Sequence, residues 1–130
     1  GEFSAMEWLG SIGACVSKPL NHSPDYDLIA EIDGELLRVQ VKTCRNLTPK
    51  GRYEVCLTTS GGNQSWNRVV KRFDATRYDW LFVLVGDGRR WFIPSDAIQG
   101  TRCICLGGPK YAELEVASGR PFAQALEAAR

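Results

Sequence analysis

The sequence predicts one α/β domain around a mixed or largely antiparallel β-sheet. Three features point there. The run "YDWLFVLVG", residues 78–86, is almost wholly apolar, as expected of a strand in the middle of a sheet covered on both faces. Two alternating segments meet at Asp33–Gly34, a dipeptide that favours the tight turn of a β-hairpin. At 130 residues and 44% hydrophobic, the chain can bury one modest core and no second one.

The elements follow in order. "GEFSA", 1–5, reads as a vector-derived appendage, which puts a single domain at 6–130. "MEWLGSIG" reads as a short helix closed by glycine. "ACVSKPL" is a strand, and "NHSPDY" a turn rich in residues that break regular structure. "DLIAEI" and "ELLRVQVKT" are the arms of the hairpin. "CRNLTPKG" is a basic loop, and "RYEVCLTT" a strand with Tyr53, Val55 and Leu57 on one face. "SGGNQSWN" reads as flexible and "RVVKRFDATR" as a short helix. After the apolar strand, "DGRRWFIP" is a further hairpin arm in which Trp91 and Phe92 pack. "SDAIQG" is a helical turn with Ser95 as a cap. "TRCICL" and "YAELEV" are strands, and "PFAQALEAAR" is a helix with Pro121 near its start.

Composition excludes several classes. No stretch approaches roughly 18 uninterrupted apolar residues, so no membrane span is expected. Nothing resembles a secretory signal. The five cysteines, at 15, 44, 56, 103 and 105, are an odd count with irregular spacing, which suits a reducing compartment better than a disulfide framework. Cys103 and Cys105 share a strand face, but their spacing is narrow for structural zinc. "GGPK", 107–110, lacks the spacing of a nucleotide-binding loop. His22, the only histidine, reads as a solvated turn residue.

The net charge of +1 hides an asymmetry. Residues 1–35 hold seven acids and one base, whereas residues 38–52 hold five bases and no acid. Such a basic block marks either a polyanion-facing surface or ordinary solvated surface.

The hairpin carries the chemistry. With Asp33 and Gly34 central to the turn, Ile32 faces Glu35, Asp27 falls opposite Gln40, and Lys42 lies one pair further out, opposite Asp25. Asp27, Gln40 and Lys42 then share one face, while Leu28, Ala30 and Ile32 take the other with Leu37, Val39 and Val41. A carboxylate, an amide oxygen and the backbone carbonyl of Val41 are hard ligands suited to magnesium, and a neighbouring lysine can orient water or neutralise charge growing on a phosphate. The same residues also fit an aspartate that caps a turn and an exposed strand face.

On these residues, "SPDYDLIAEIDGELLRVQVKT" resembles the PD-(D/E)XK nuclease superfamily, and more closely its homing-endonuclease-like branch with a Q-x-K motif. The likeness runs from about residue 12 to 43, and more loosely through "YDWLFVLVGDGRRWFIPSDAI", where Pro94 and Ile98 match a P-x-x-x-I segment. It implies a restriction-endonuclease-like core, a mixed sheet flanked by helices, here with its N-terminal helix cut short. It implies Asp27, Gln40 and Lys42 as catalytic residues, and Asp27, Gln40 and the Val41 carbonyl as metal ligands, with Glu7 or Asp25 as a further ligand. Gln40 departs from the usual acid, and the literal Pro24–Asp25 lies two residues before the favoured aspartate.

The expected activity is metal-dependent hydrolysis of DNA phosphodiesters, homing- or restriction-like, with Mg2+ as cofactor and Mn2+ able to substitute. Double-stranded DNA is the expected partner, in a homodimer or higher homo-oligomer, in the cytoplasm of a bacterial or phage-like setting. DNA contacts are expected from Arg45, Lys50 and Arg52, and from Gln64, Trp66, Asn67, Arg68, Lys71 and Arg72. Two alternatives stay open: a DNA-binding module that has lost cleavage, and a structural or partner-binding domain with no nucleic-acid role.

Overall fold

The computed structural model describes residues 1–21, 25–60, 70–71, 74–100 and 102–121. Helix α1 spans Glu2–Ser11 and strand β1 Cys15–Ser17. The hairpin is β2, Leu28–Ile32, and β3, Glu35–Cys44. There follow β4 (Tyr53–Cys56), β5 (Thr59–Ser60), β6 (Val70–Lys71), β7 (Trp80–Val85), β8 (Arg90–Pro94), β9 (Cys103–Leu106) and β10 (Glu115–Val116). Short 3-10 turns cover Ser95–Ala97 and Ala112–Leu114.

Six strands form one sheet in the order β1-β2-β3-β7-β8-β10. Every pairing is antiparallel except β3 with β7, which is parallel, so the sheet is mixed, as expected. The hairpin register is the one the turn dictates. Asp33 and Gly34 both take positive φ (51° and 83°), the geometry of a type I′ turn, and Ile32 pairs with Glu35.

The two faces of the sheet bury different partners. On one, Ala5 and Leu9 of α1 pack on Leu28, Ala30, Val39, Phe82, Leu84 and Phe92. On the other, the antiparallel ribbon β4–β9 lays Val55, Ile104 and Leu106, with Leu57, over Leu81, Val83, Val85, Trp91 and Ile93. β7 is apolar throughout because it meets both layers.

Helix α1 starts earlier than expected and takes in residues 2–5, with Ala5 fully buried. It ends at Gly13, whose φ of 91° only glycine adopts cheaply. Gly13 N–H returns to the Gly10 carbonyl and Ala14 N–H to that of Leu9, the paired bonds of a Schellman close.

Several local expectations differ. Ser95 does not cap its turn: Pro94 holds the cap position and the Ser95 hydroxyl donates to the Ala75 carbonyl. Val70–Lys71 form a strand paired with Thr59–Ser60, where a helix was expected. "YAELEV" is mostly a 3-10 turn, with only Glu115–Val116 pairing on β8. The expected loop "SGGNQSWN" begins with Ser60 of β5 and otherwise, like the expected helix after Pro121, lies outside the described residues. Among the described residues, no helix is long and apolar enough to cross a membrane.

A buried cation ties the layers together. Arg90, only 3% exposed, donates to the carbonyls of Ser4, Ala117 and Ser118 and pairs with the Glu7 carboxylate. It joins α1, β8 and the segment after β10. Replacing Arg90 by Met is expected to leave these acceptors unpaired and lower stability by about 2 kcal/mol. Phe82→Ala, which empties the helix-facing core, should lower it by about 3–5 kcal/mol. Urea denaturation of the two variants against the parent measures both.

Candidate active site

The site lies where β2 stops and β3 continues. The ladder ends at Leu28↔Val39. Asp27 N–H also reaches the Val39 carbonyl, at 2.9 Å, so two residues crowd against one, as in a β-bulge. The bulge swings the Asp27 side chain across to β3, where its Oδ2 accepts the N–H of Val41 at 2.8 Å. Asp27 therefore does not pair with Gln40 as a continued register would have it. Its carboxylate lies at the strand edge instead. A strand residue's N–H and C=O leave on the same side, so the Val41 carbonyl opens into the same gap.

Gln40 and Lys42 do share a face, as predicted. They pair with Leu81 and Val83 of β7 and lie on the ribbon side of the sheet. Gln40 is 7% exposed, and its amide nitrogen makes only a long contact, 3.5 Å, to the Val41 carbonyl. Lys42 Nζ reaches the Thr58 carbonyl at 3.5 Å.

Glu2, in the first turn of α1 and within the segment read as vector-derived, is an acid that the sequence reading did not consider and that the structure brings beside Asp27. Lys18 Nζ donates to its carboxylate at 2.7 Å, and Glu2, Lys18, Tyr26 and Asp27 line one open cleft of about 230 Å³. Residue 1 sits against the methyls of Val41 and Thr43, which places the helix start directly over the end of β3. Glu2 falls within "GEFSA", the segment read as vector-derived, and it meets Asp27 only through the placement of α1 over β3.

The electrostatics of Asp27 follow from this crowding. Burial pushes its carboxyl above the usual aspartate range, and the Glu2 charge adds to that; the Val41 N–H bond and the charges of Lys42 and Lys18 act the other way. Glu2 and Asp27 share the cleft on the α1 side, whereas Gln40 reaches the Val41 carbonyl from the ribbon side; a hard divalent cation at the strand edge between them would relieve the repulsion of the two carboxylates. No cluster of three or more His, Cys, Asp or Glu groups is found among the described residues, so any such ion depends on the amide and the carbonyl as well.

The other expected ligands are placed elsewhere. Glu7 is held by Arg90. Asp25 faces Arg77, with 3.8 Å between Oδ1 and Nη1. Of the expected DNA contacts, Arg45, Lys50 and Arg52 lie in the connection from β3 to β4, Arg45 and Lys50 exposed and Arg52 half-buried against Gly108. Lys71 is in β6. Gln64, Trp66, Asn67, Arg68 and Arg72, with His22, lie outside the described residues.

A mixed sheet with a helix on one face, and a bulged strand end opening beside a Q-x-K strand, defines a restriction-endonuclease-like α/β core. A bacterial homing endonuclease, I-Ssp6803I, has the same fold: it is 23% identical and superposes with a TM-score of 0.66 over 98% of this chain and 88% of its own. No curated protein matches the sequence. A profile of the PD-(D/E)XK endonuclease family matches residues 1–103, and the chain belongs to that family.

Because Asp27 holds its proton more tightly folded than unfolded, its ionisation works against folding as pH rises through the unfolded and then the folded value. In chelator-treated buffer, Asp27→Asn keeps an acceptor for Val41 and removes that opposition. The variant is expected to melt higher than the parent at pH 7, with the gap closing as pH falls below the ordinary aspartate range. Thermal melts across pH check this.

Proposed function

We propose that the protein is a metal-dependent DNA endonuclease. The observation that carries this reading is the bulge at Asp27. It brings a carboxylate to the open carbonyl of Val41, on the strand that presents Gln40 and Lys42, and the family membership supports the reaction class. Glu2, Asp27, the Val41 carbonyl and the Gln40 amide oxygen would hold the ion, Mg2+ or in its place Mn2+. Such an ion, when bound, polarises a phosphate and makes water a better nucleophile.

The chain's own groups divide the remaining work. Lys42, tethered at Thr58, presents an ammonium that can orient the attacking water and neutralise charge developing on the phosphate. Asp27, fixed by Val41, keeps its oxygens at the strand edge. Arg45, Lys50 and Arg52, just beyond the end of β3, hold the DNA backbone by charge. One site per chain and two strands to cut favour action as a homodimer or higher homo-oligomer. Five free thiols fit a reducing, cytoplasmic setting.

A second reading, a DNA-binding module with weak or no cleavage, is favoured by Gln40, since an amide is a poorer metal ligand than a carboxylate.

Nicking of supercoiled DNA in magnesium tests both. Lys42→Ala is expected to slow nicking about 10²-fold or more while leaving DNA binding intact. Equal nicking by parent and variant would remove the catalytic role of Lys42, and salt-sensitive binding without nicking by the parent would select the second reading. Replacing Arg45, Lys50 or Arg52 by Ala should each weaken binding and flatten the dependence of log K on log salt by about one unit or less.

A further inference from the structure

We propose that Cys56 and Cys103 form a reversible dithiol–disulfide pair, a redox-modification site beside Lys42 that a peroxide closes and a thiol reductant reopens. The bond itself stands apart from the nuclease reading; only its effect on cleavage rests on that reading.

The register carries the inference. Cys56 of β4 lies directly opposite Cys103 of β9. The next pair out, Leu57 and Arg102, is joined by a backbone bond of 2.7 Å from the Leu57 N–H. Antiparallel ladders alternate, so Cys56 and Cys103 form a non-hydrogen-bonded pair. Glu54 has the matching phase. Its N–H goes to the Asn46 carbonyl and its own carbonyl accepts the Cys44 thiol, both away from β9. Opposed residues of a non-hydrogen-bonded pair have Cα atoms about 4.5 Å apart, within the roughly 4.4–6.8 Å that a disulfide spans. Both thiols are exposed, on the outer face of the ribbon, while Val55 and Ile104 point inward. Cys105 shares that face but lies opposite Glu54.

The two sulfurs have different roles. The Cys56 Sγ lies 2.8 Å from the Thr58 hydroxyl, and that contact, aided by the charge of Lys42, draws its thiol below the ordinary range. Burial and the nearby Glu54 push Cys103 up. Cys56 is therefore the attacking group. Its thiolate takes one oxygen from hydrogen peroxide to give a sulfenic acid, and the other oxygen leaves as water. The Cys103 sulfur then attacks Cys56, the S–S bond forms, and a second water leaves. Two thiols and one peroxide give one disulfide and two waters.

Closing the bond would draw the Cys56 sulfur off the Thr58 hydroxyl, and the carbonyl of the same Thr58 makes a long contact, 3.5 Å, with Lys42 Nζ. The redox state of the ribbon thereby reaches the candidate catalytic lysine through one residue.

The full chain, reduced and then treated with hydrogen peroxide, provides the test. Free thiols are expected to fall from five to three, with peptide mapping linking Cys56 to Cys103 and dithiothreitol restoring all five. The acylation rate of Lys42 by an amine-reactive ester should change severalfold between the two states. Cys103→Ser, an exposed substitution, should prevent the bond and abolish the Lys42 response. A bond through Cys105 or Cys15 instead, or five surviving thiols, overturns the pair, and an unchanged Lys42 rate overturns the coupling. If the reduced protein does not nick DNA, the nuclease reading fails while the mapping still decides the dithiol.

Discussion

The arrangement depends on one mismatch between neighbouring strands: β3 runs on after β2 has ended. A strand that loses its partner exposes backbone groups that must be satisfied. Here the Asp27 carboxylate takes the Val41 N–H in place of a neighbouring strand's carbonyl. That single substitution of side chain for backbone leaves the Val41 carbonyl facing an open gap, and sets an ionisable group beside it. The start of α1 covers the same point from one face, bringing Glu2 and Lys18. The other side presents Gln40 and Lys42 beside the ribbon.

The layers around the gap are rigid for identifiable reasons. β7 is the spine: its alternate residues serve both cores, and burying a side chain the size of Phe82 contributes roughly 1.5–3 kcal/mol. Asp79, just before β7, accepts the Arg38 N–H at 2.7 Å and its guanidinium as well, while the Asp79 N–H returns to the Arg38 carbonyl; these contacts set the phase in which β3 and β7 begin to pair. Arg90 does the same for the helix. The polar site can therefore stay half-open at the sheet's end without loosening the sheet.

Much of this was legible in the residues. The Asp-Gly turn set the register of β2 on β3, and with it the common face of Gln40 and Lys42. The apolar run of β7 gave its central place. The bulge at Asp27 was not legible, because one extra residue against a ladder leaves no mark on hydrophobic alternation. Glu2 was missed for a different reason: its arrival depends on where α1 lies over β3, which no local pattern encodes. Glu7 was the more natural choice along the chain, but buried Arg90 is a stronger partner for it. Nor did the sequence indicate that a β-ribbon would cover one face, since strands that leave the main sheet carry the same alternation as those that stay.

The parallel contact between β3 and β7 has a kinetic meaning. Arg38 and Asp79, which meet where that contact begins, are 41 residues apart in the chain, whereas the β2–β3 hairpin closes through two residues. Local closure is fast, and joining distant segments must first overcome the entropy of a long intervening loop. By that entropy alone, the hairpin that bears Asp27, Gln40 and Lys42 is expected to be the early, self-templating piece of the molecule. The strand that pairs beside Gln40 and Lys42 would then dock afterwards, so that the chemistry-bearing edge is drafted before the core that holds it still.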